Sequence, residues 1–135
     1  MERLVENRGE YLYLKLSGSF SLHELAPKFP DLLKILMEQR ISKILIDCRE
    51  MYGSYSRAER YLVNERLAEL NIALMNHNRP PLKITSVLNE EMFDPGKFGE
   101  TVAKNRGLQA YNTLNIEDAY KWLEVAPPKI PTQPA

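Results

Sequence analysis

The feature that most constrains this chain is an alternation of short apolar runs with segments of helical periodicity. The runs at 42–48 and 82–88 are largely apolar, which is typical of strands buried on both faces in parallel sheets. Between them, apolar residues recur at helical spacing at Val63, Leu67, Leu70 and Leu74. Strands that alternate with helices pair in parallel through right-handed crossovers. The pattern therefore predicts an α/β fold.

The flanking segments extend the predicted sheet at both ends. Residues 3–6 and 11–16 surround turn residues and predict an antiparallel hairpin, whose tyrosines and leucines alternate between the two faces. The other predicted elements are a turn at 21–26, helices at about 27–39, 56–76 and 98–105, a strand at 108–111 and a helix after Asn115. We therefore expect a single mixed β-sheet of about five strands with about four helices.

Length and proline content predict one domain followed by a tail. A chain of 135 residues suits a single domain of the commonest size. After Glu124 come four prolines in eleven residues, and proline cannot donate to a helix or to a sheet ladder. We therefore expect a folded domain over 1–124 and a proline-rich, disordered C-terminal tail over 125–135.

Charge and cysteine content argue against several classes of protein. The 18 basic and 18 acidic residues give a formal net charge of zero, which lacks the basic excess typical of nucleic-acid binders. No apolar run approaches the roughly 18 residues of a membrane span, and residues 1–6 lack the hydrophobic region of a secretory signal. The balanced charge predicts that the protein binds no nucleic acid. Since Cys48 is the one cysteine, we expect a cytoplasmic protein.

The usual catalytic and metal-binding patterns are missing from the sequence. The glycines form no phosphate-binding loop, there is no nucleophile elbow, and His23 and His77 lack a second ligand at metal-binding spacing. Cys48 is expected to be a small buried apolar residue. Catalysis would depend on this thiol or on a tyrosine–carboxylate pair, and the spacing of the residues favours neither. We therefore predict no metal ion, no cofactor and no enzymatic activity.

The most informative segment is the predicted loop at 49–56, which leaves a central strand and leads into a long helix. Open α/β sheets place their sites at such strand ends. Ser56 and Glu59 form a capping-box pattern, so Ser56 either only caps the helix or is also a site. Free amides at a helix N-terminus favour negative charge, and phosphorylation of Ser56 or Ser54 would add about −1.5 to −2 charges there.

A second loop, at 89–98, follows the next parallel strand and is predicted to lie beside the first. Met92, Phe93 and Phe98 offer apolar surface there, which suits a protein partner or a greasy ligand. The alternative is that these side chains only cover the end of the sheet.

Three segments of the chain resemble the STAS superfamily, named for sulphate transporters and anti-sigma factor antagonists, and especially its SpoIIAA-like members. Residues 16–20 are similar to the family's L-x-G-x-[LF] segment, and residues 44–47 are similar to its central strand, which ends in Asp. Residues 102–123 are similar to its last helix, strand and helix. The resemblance spans about residues 3–124 in the order of the elements, and it implies a SpoIIAA/STAS-like fold.

The resemblance also implies where a switch would lie. In that family a partner kinase phosphorylates a Ser or Thr at the start of the helix after the central strand, often within D-S-S-G. Counted from Asp47, Ser56 occupies this position and Ser54 is the second candidate, while Tyr55 stands in place of the acid. The resemblance implies a small module that acts by binding, without chemistry of its own.

Two functions remain open from the sequence. The first is a regulatory protein–protein interaction module resembling anti-sigma factor antagonists, with a kinase or anti-sigma-like regulator as its partner. Its predicted interaction surface, whose arginines would meet an acidic partner, consists of Met51, Tyr52, Tyr55, Arg57, Arg60, Met92 and Phe93. The alternative is a protein that binds or senses a small apolar ligand, a lipid or an acyl compound. The mouth of its pocket would be lined by Met51, Tyr52, Tyr55, Met92 and Phe93.

Overall fold

Five strands and four helices of eight residues or more alternate within residues 1–128, the part of the chain that this computed structural model describes. The strands are β1 (Glu2–Asn7), β2 (Leu12–Ser19), β3 (Lys43–Tyr52), β4 (Lys83–Val87) and β5 (Gln109–Thr113). The helices are the single turn α1 (Leu22–Leu25), α2 (Lys28–Gln39), α3 (Arg57–Met75), α4 (Phe98–Asn105) and α5 (Ile116–Leu123). The prediction of an α/β fold with one mixed sheet is confirmed.

The strands form one sheet whose spatial order, β1-β2-β3-β4-β5, is also their order along the chain. β1 pairs with β2 antiparallel, and the other three pairs are parallel. Right-handed crossovers that always step in the same direction place their helices on one face of a sheet, so α1 to α4 share the first face. Of the described helices, α5 alone packs on the second face, against β4 and β5.

The alternation of side chains along the strands divides the interior into two clusters. Leu12, Leu14 and Leu16 of β2 point to the first face and pack with the helices there. Tyr11 and Tyr13 point to the second face, where they join the buried side of α5. The predicted separation of the leucines from the tyrosines is confirmed.

A β-bulge interrupts the pairing of β2 with β3. Lys15 is paired with Asp47 but Ser17 with Glu50, so β3 carries one extra residue in this stretch. Such a bulge shifts the alternation of the side chains by one position. Beyond the bulge, the side chains of β3 therefore point to the opposite faces from those that strict alternation predicts.

The bulge decides which residues at the end of β3 are buried. Met51 is 3% exposed on the core side, whereas Tyr52 is 58% exposed. The sequence predicts that this strand ends at Cys48, which is wrong because the pairing with β2 continues to Tyr52. The loop predicted at 49–56 therefore begins at Gly53.

Two asparagines lie on the buried side of α3. Asn64 and Asn71 are 8% and 3% exposed. Asn71 Oδ1 accepts a hydrogen bond from the Leu82 N–H at 2.8 Å, which joins the helix to the start of β4. The sequence pattern places Asn64 away from the buried stripe, and this is wrong because the spacing of apolar residues does not reveal a buried amide.

The segment after α5 begins with a contact to the domain. Val125 donates its N–H to the Tyr120 carbonyl oxygen at 3.1 Å and packs against the second cluster. Residues 129–135 of the predicted disordered tail lie outside the described residues. The boundary at 124 therefore stays a prediction.

Candidate functional site

The loop between β3 and α3 begins with a glycine that turns the chain. Gly53 has a φ of +104°, a backbone conformation that side chains rarely adopt. The Phe20 N–H donates to the Tyr52 carbonyl oxygen at 2.8 Å, which holds the ends of β2 and β3 together. Residues 54–56 then lead directly into α3. The turn thus places two serines at the amino end of the helix.

Ser56 begins α3 through a reciprocal pair of hydrogen bonds. Its Oγ accepts from the Glu59 N–H at 3.1 Å, and Glu59 Oε1 accepts from the Ser56 N–H at 2.8 Å. This capping box satisfies two backbone amides that the helix itself leaves unpaired. The predicted capping role of Ser56 is confirmed. Ser54 and Ser56 are both exposed residues.

The loop after β4 is tied to the end of β3. Asn89 Nδ2 donates to the Met51 carbonyl oxygen at 2.6 Å and to the Arg49 carbonyl oxygen at 3.1 Å. The Gly53 N–H donates to Glu91 Oε1 at 2.7 Å. The two loops therefore lie side by side, as the sequence predicts. We call them the loop surface, residues 52–57 and 89–94.

Two residues predicted for the interaction surface are buried. Met51 and Met92 are 3% and 1% exposed and belong to the core on the first face. The bulge turns Met51 inward, and the Met92 N–H bonds to Asn89 Oδ1 at 2.9 Å, which folds its loop over the core. Because buried side chains present no surface to a partner, this part of the prediction is corrected.

The exposed part of the predicted surface consists of an aromatic and a cationic side chain. Tyr52 is 58% exposed. Arg57 is exposed and lies over the ring of Phe98, with its guanidinium carbon 4.1 Å from the ring centroid. Phe93 is half-buried and packs against the core.

Arg60 joins the two loops and projects little into solvent. It is half-buried, and its guanidinium lies over the Tyr55 ring at 4.2 Å. It donates to the carbonyl oxygens of Tyr55 at 3.2 Å and Met92 at 2.7 Å. Among residues 1–128 it makes no ion pair with a carboxylate. Arg60 is therefore a half-buried cation held by carbonyl oxygens.

A mainly apolar cavity of about 80 Å³ lies between the first face of the sheet and the helices α2 and α3, and is partly open to solvent. Of the predicted mouth residues, Met51, Tyr55 and Met92 line it, whereas Tyr52 and Phe93 do not. Sequence reasoning missed its polar and cationic lining, which consists of Arg3, Lys28, Asn64, Ser86 and Asn112, together with Arg60. The available signal was Ser86, which interrupts the core-facing positions of β4.

Cys48 is buried on the core side of β3, as predicted. Burial raises the pKa of its thiol to about 12, and the neighbouring Asp47 carboxylate adds to the effect. Since the thiolate is the reactive form of cysteine, this side chain is a poor nucleophile near neutral pH.

A tyrosine–carboxylate pair lies on the second face, but its polar atoms are all engaged. The Tyr13 hydroxyl donates to Asp47 Oδ2 at 2.6 Å, and Arg49 donates to both carboxylate oxygens at 2.9 and 2.8 Å. Burial and the Asp47 carboxylate raise the pKa of Tyr13. Burial works to raise the pKa of Asp47, but hydrogen bonds from Arg49 and Tyr13 outweigh it and lower that pKa. The pair thus links β2 to β3.

The part of the chain that the structure describes contains neither a metal-binding cluster nor a helix that could span a membrane. Residues 1–128 contain no cluster of three or more His, Cys, Asp or Glu side chains arranged to hold a metal ion. None of the helices described there is both long and apolar enough to span a membrane.

Comparison with solved structures identifies the architecture. An anti-sigma factor antagonist from Mycobacterium paratuberculosis superposes with a TM-score of 0.56, over 91% of this chain and 93% of the other, at 13% sequence identity. The chain therefore shares the fold of that solved structure. The SpoIIAA/STAS-like fold that the sequence predicts is therefore confirmed. No family model and no curated protein matches the sequence.

Proposed function

We propose that this chain is a non-catalytic, cytoplasmic regulatory module that binds a protein partner through the loop surface. The proposal is carried by the exposed Tyr52 and Arg57, which flank two exposed serines at the amino end of a 19-residue helix. The likeness in fold to an anti-sigma factor antagonist supports it. The Arg57 guanidinium suits an acidic surface on a protein partner, such as a kinase or an anti-sigma-like regulator. Aromatic and Arg side chains such as these two also dominate binding energy at interfaces.

We also propose that phosphorylation switches this surface, with different consequences at its two serines. A phosphate on Ser56 would face the Glu59 carboxylate, which now bonds to the Ser56 N–H, so repulsion would open the capping box. Ser54 lies outside the box, and a phosphate there would add charge without uncapping the helix. Either modification would change the charge next to Arg57.

The experiment is capture of partners from the native host with the unmodified protein, together with phosphopeptide analysis of the native protein. Tyr52→Ser and Arg57→Ser should each reduce capture of the same partner at least tenfold. The matched control is Arg66→Ser, because Arg66 is exposed on α3 but pairs with Glu69 away from the loops. Equal capture by all three variants, or no partner at all, would contradict the interaction proposal. Absence of phosphate on both serines would contradict the switch.

A second candidate function, binding of a small apolar ligand, is favoured by the cavity beneath α2 and α3. Its lining is mainly apolar, and Met51, Tyr55 and Met92 contribute to it. Native mass spectrometry of the protein from its host should then detect a co-purifying lipid or acyl compound. A mass of the bare chain, with no compound taken up from an added acyl series, would contradict this candidate.

A further inference from the structure

We infer that two copies of this chain associate through the outer edge of β1, which pairs antiparallel with its equivalent about Val5 and joins the two sheets into one. This inference is independent of the proposed partner of the loop surface. β1 lies at one edge of the sheet, whereas the loop surface follows β3 and β4. A pair joined in this way carries two loop surfaces.

The outer edge of β1 has no partner in the part of the chain that the structure describes. β1 is the first strand of the sheet and pairs with β2 alone. The Arg8 N–H donates to the Tyr11 carbonyl oxygen at 3.0 Å and continues the register of that pairing. Because bonded pairs alternate along an antiparallel ladder, the backbone groups of Arg3, Val5 and Asn7 point away from β2. Such an open edge is a template for pairing with another chain.

A two-fold axis perpendicular to the sheet lets a second copy add to this edge. The axis runs the two β1 strands antiparallel and keeps equivalent faces of the two sheets on the same side. Residues that bond across the axis must both point outward, so odd-numbered residues pair with odd-numbered residues. Two registers then align most of the strand, one centred on Leu4 and the other on Val5.

Hydrogen bonding favours the register centred on Val5. In this register Val5 bonds to Val5 of the second copy, and Arg3 bonds to Asn7 of the second copy on either side. The outward N–H and carbonyl groups of the strand are then all satisfied. The register centred on Leu4 leaves Asn7 opposite no residue of β1. The first register therefore makes more complete use of the edge.

Charge favours the same register. Glu2 is exposed and makes no ion pair among residues 1–128. It lies on the second face of the sheet, as does Arg8. The favoured register places Glu2 opposite Arg8 of the second copy, whereas the alternative places it opposite Glu6. Opposite charges on facing strands stabilise their pairing and like charges weaken it, so β1 is complementary to a second copy of itself.

The pairing also covers an exposed apolar side chain. Leu4 is 49% exposed on the second face and lies diagonal to Leu4 of the second copy, within reach of a side chain of this length. One short strand edge buries less than the ~1,200 Å² of a standard interface. We therefore expect a dimer that exchanges with the monomer, with a dissociation constant on the order of 100 µM.

Sedimentation equilibrium of the full chain tests the association. The average mass should rise from that of the monomer toward that of the dimer between ~10 µM and ~1 mM. Glu2→Arg should weaken association at least fivefold. The matched control is Glu90→Arg, an equal change of charge at an exposed residue of the loop after β4, and it should change association by less than twofold. A monomer at every concentration, or equal association of the two variants, would overturn the inference.

Hydrogen exchange locates the interface in the unaltered protein. The Val5 N–H points outward and should exchange at least threefold more slowly at ~1 mM than at ~10 µM. The Leu4 N–H bonds to β2 and should already be protected in the dilute sample. A protein that dimerises while the Val5 N–H exchanges at an unchanged rate would associate through another surface, which would overturn the inference.

Cross-linking tests the register. Val5→Cys places two thiols opposite each other, with Cα atoms about 5.5 Å apart, which is within the range of a disulfide. Mild oxidation should therefore give a covalent dimer. In Leu4→Cys the two Cα atoms are about 8 Å apart, so cross-linking should be at least tenfold slower, and Cys48 is buried in both variants. Cross-linking of Leu4→Cys as fast as that of Val5→Cys would refute pairing about Val5.

Discussion

Asn89 holds the end of β3 in place, with its Nδ2 2.6 Å from the Met51 carbonyl oxygen. The same side chain accepts the Met92 N–H through Oδ1 at 2.9 Å. One amide thus connects the last residues of one strand to the loop that follows the next strand. The shape of the loop surface depends on this connection, because no regular β-pairing joins the two segments there.

Replacement of Asn89 is therefore expected to loosen the loop surface. Asn89→Ala removes the donor to Met51 and the acceptor for Met92, and should lower the free energy of unfolding by about 1–3 kcal/mol, since partly buried backbone groups lose their partners. Asn89→Asp keeps the acceptor alone and should lie between Asn89→Ala and the unaltered protein. Urea denaturation measures all three, and equal stability of the three proteins would contradict the proposed clamp.

The bulge in β3 predicts that substitutions at two adjacent residues change the stability by very different amounts. Met51→Ala removes a buried side chain and should cost about 2–4 kcal/mol of stability, whereas Tyr52→Ala should change stability by less than about 0.5 kcal/mol because its ring is largely exposed. Thermal or urea unfolding of both variants gives the comparison. A larger loss from Tyr52→Ala than from Met51→Ala would show that the register is wrong.

Capping predicts that the two serines differ in their effect on stability. Ser56→Ala should destabilise the protein by about 1 kcal/mol, because the Glu59 N–H loses its acceptor. Ser56→Asp keeps an N-cap acceptor and should restore most of the loss. Ser54→Ala serves as the matched control and should be neutral in the same denaturation experiment. Equal losses from Ser54→Ala and Ser56→Ala would refute the assignment of the cap.

The Asp47 carboxylate predicts how stability depends on pH. Its pKa in the folded protein lies below the ordinary value of 3.8, since hydrogen bonds from Arg49 and Tyr13 outweigh the opposing effect of burial. A lowered folded pKa contributes stability that is complete above the unfolded pKa and is lost as the pH falls through the folded pKa. Asp47→Asn should therefore destabilise the protein by about 1–3 kcal/mol at pH 7.

The loss from Asp47→Asn should shrink as the pH falls below about 4, because the unaltered protein then loses the same contribution. Denaturant unfolding at a series of pH values follows the difference between the two proteins. A difference that stays constant down to about pH 2 would contradict the lowered pKa.

Burial of Cys48 predicts slow chemistry at its thiol. Because its pKa is raised to about 12 and its side chain is 7% exposed, a charged aromatic disulfide reagent should react at least a hundredfold more slowly with the folded protein than with the urea-unfolded chain. Stopped-flow absorbance measures both rates. A folded-state rate close to that of the unfolded chain would contradict the burial.

The order of the elements was readable from the sequence because apolar periodicity is a local property. The helices predicted over 56–76 and 98–105 have bounds close to those observed, since a capping box marks the start of the first and apolar spacing marks its length. The position of Ser54 and Ser56 before the long helix followed from the same signals. Their phosphorylation stays a prediction.

Pairing between distant segments decided the rest. The bulge opposite Leu16 exists only because β2 and β3 pair out of strict register, and no local signal in the sequence reveals it. It buries Met51 and exposes Tyr52, whereas the sequence predicts both on the interaction surface. The cavity likewise needs Ser86 and Asn112 on adjacent strands facing Asn64 on a helix. The sequence alone thus determined the elements and their order, whereas register, burial and the cavity arose from contacts that form only when the whole sheet assembles.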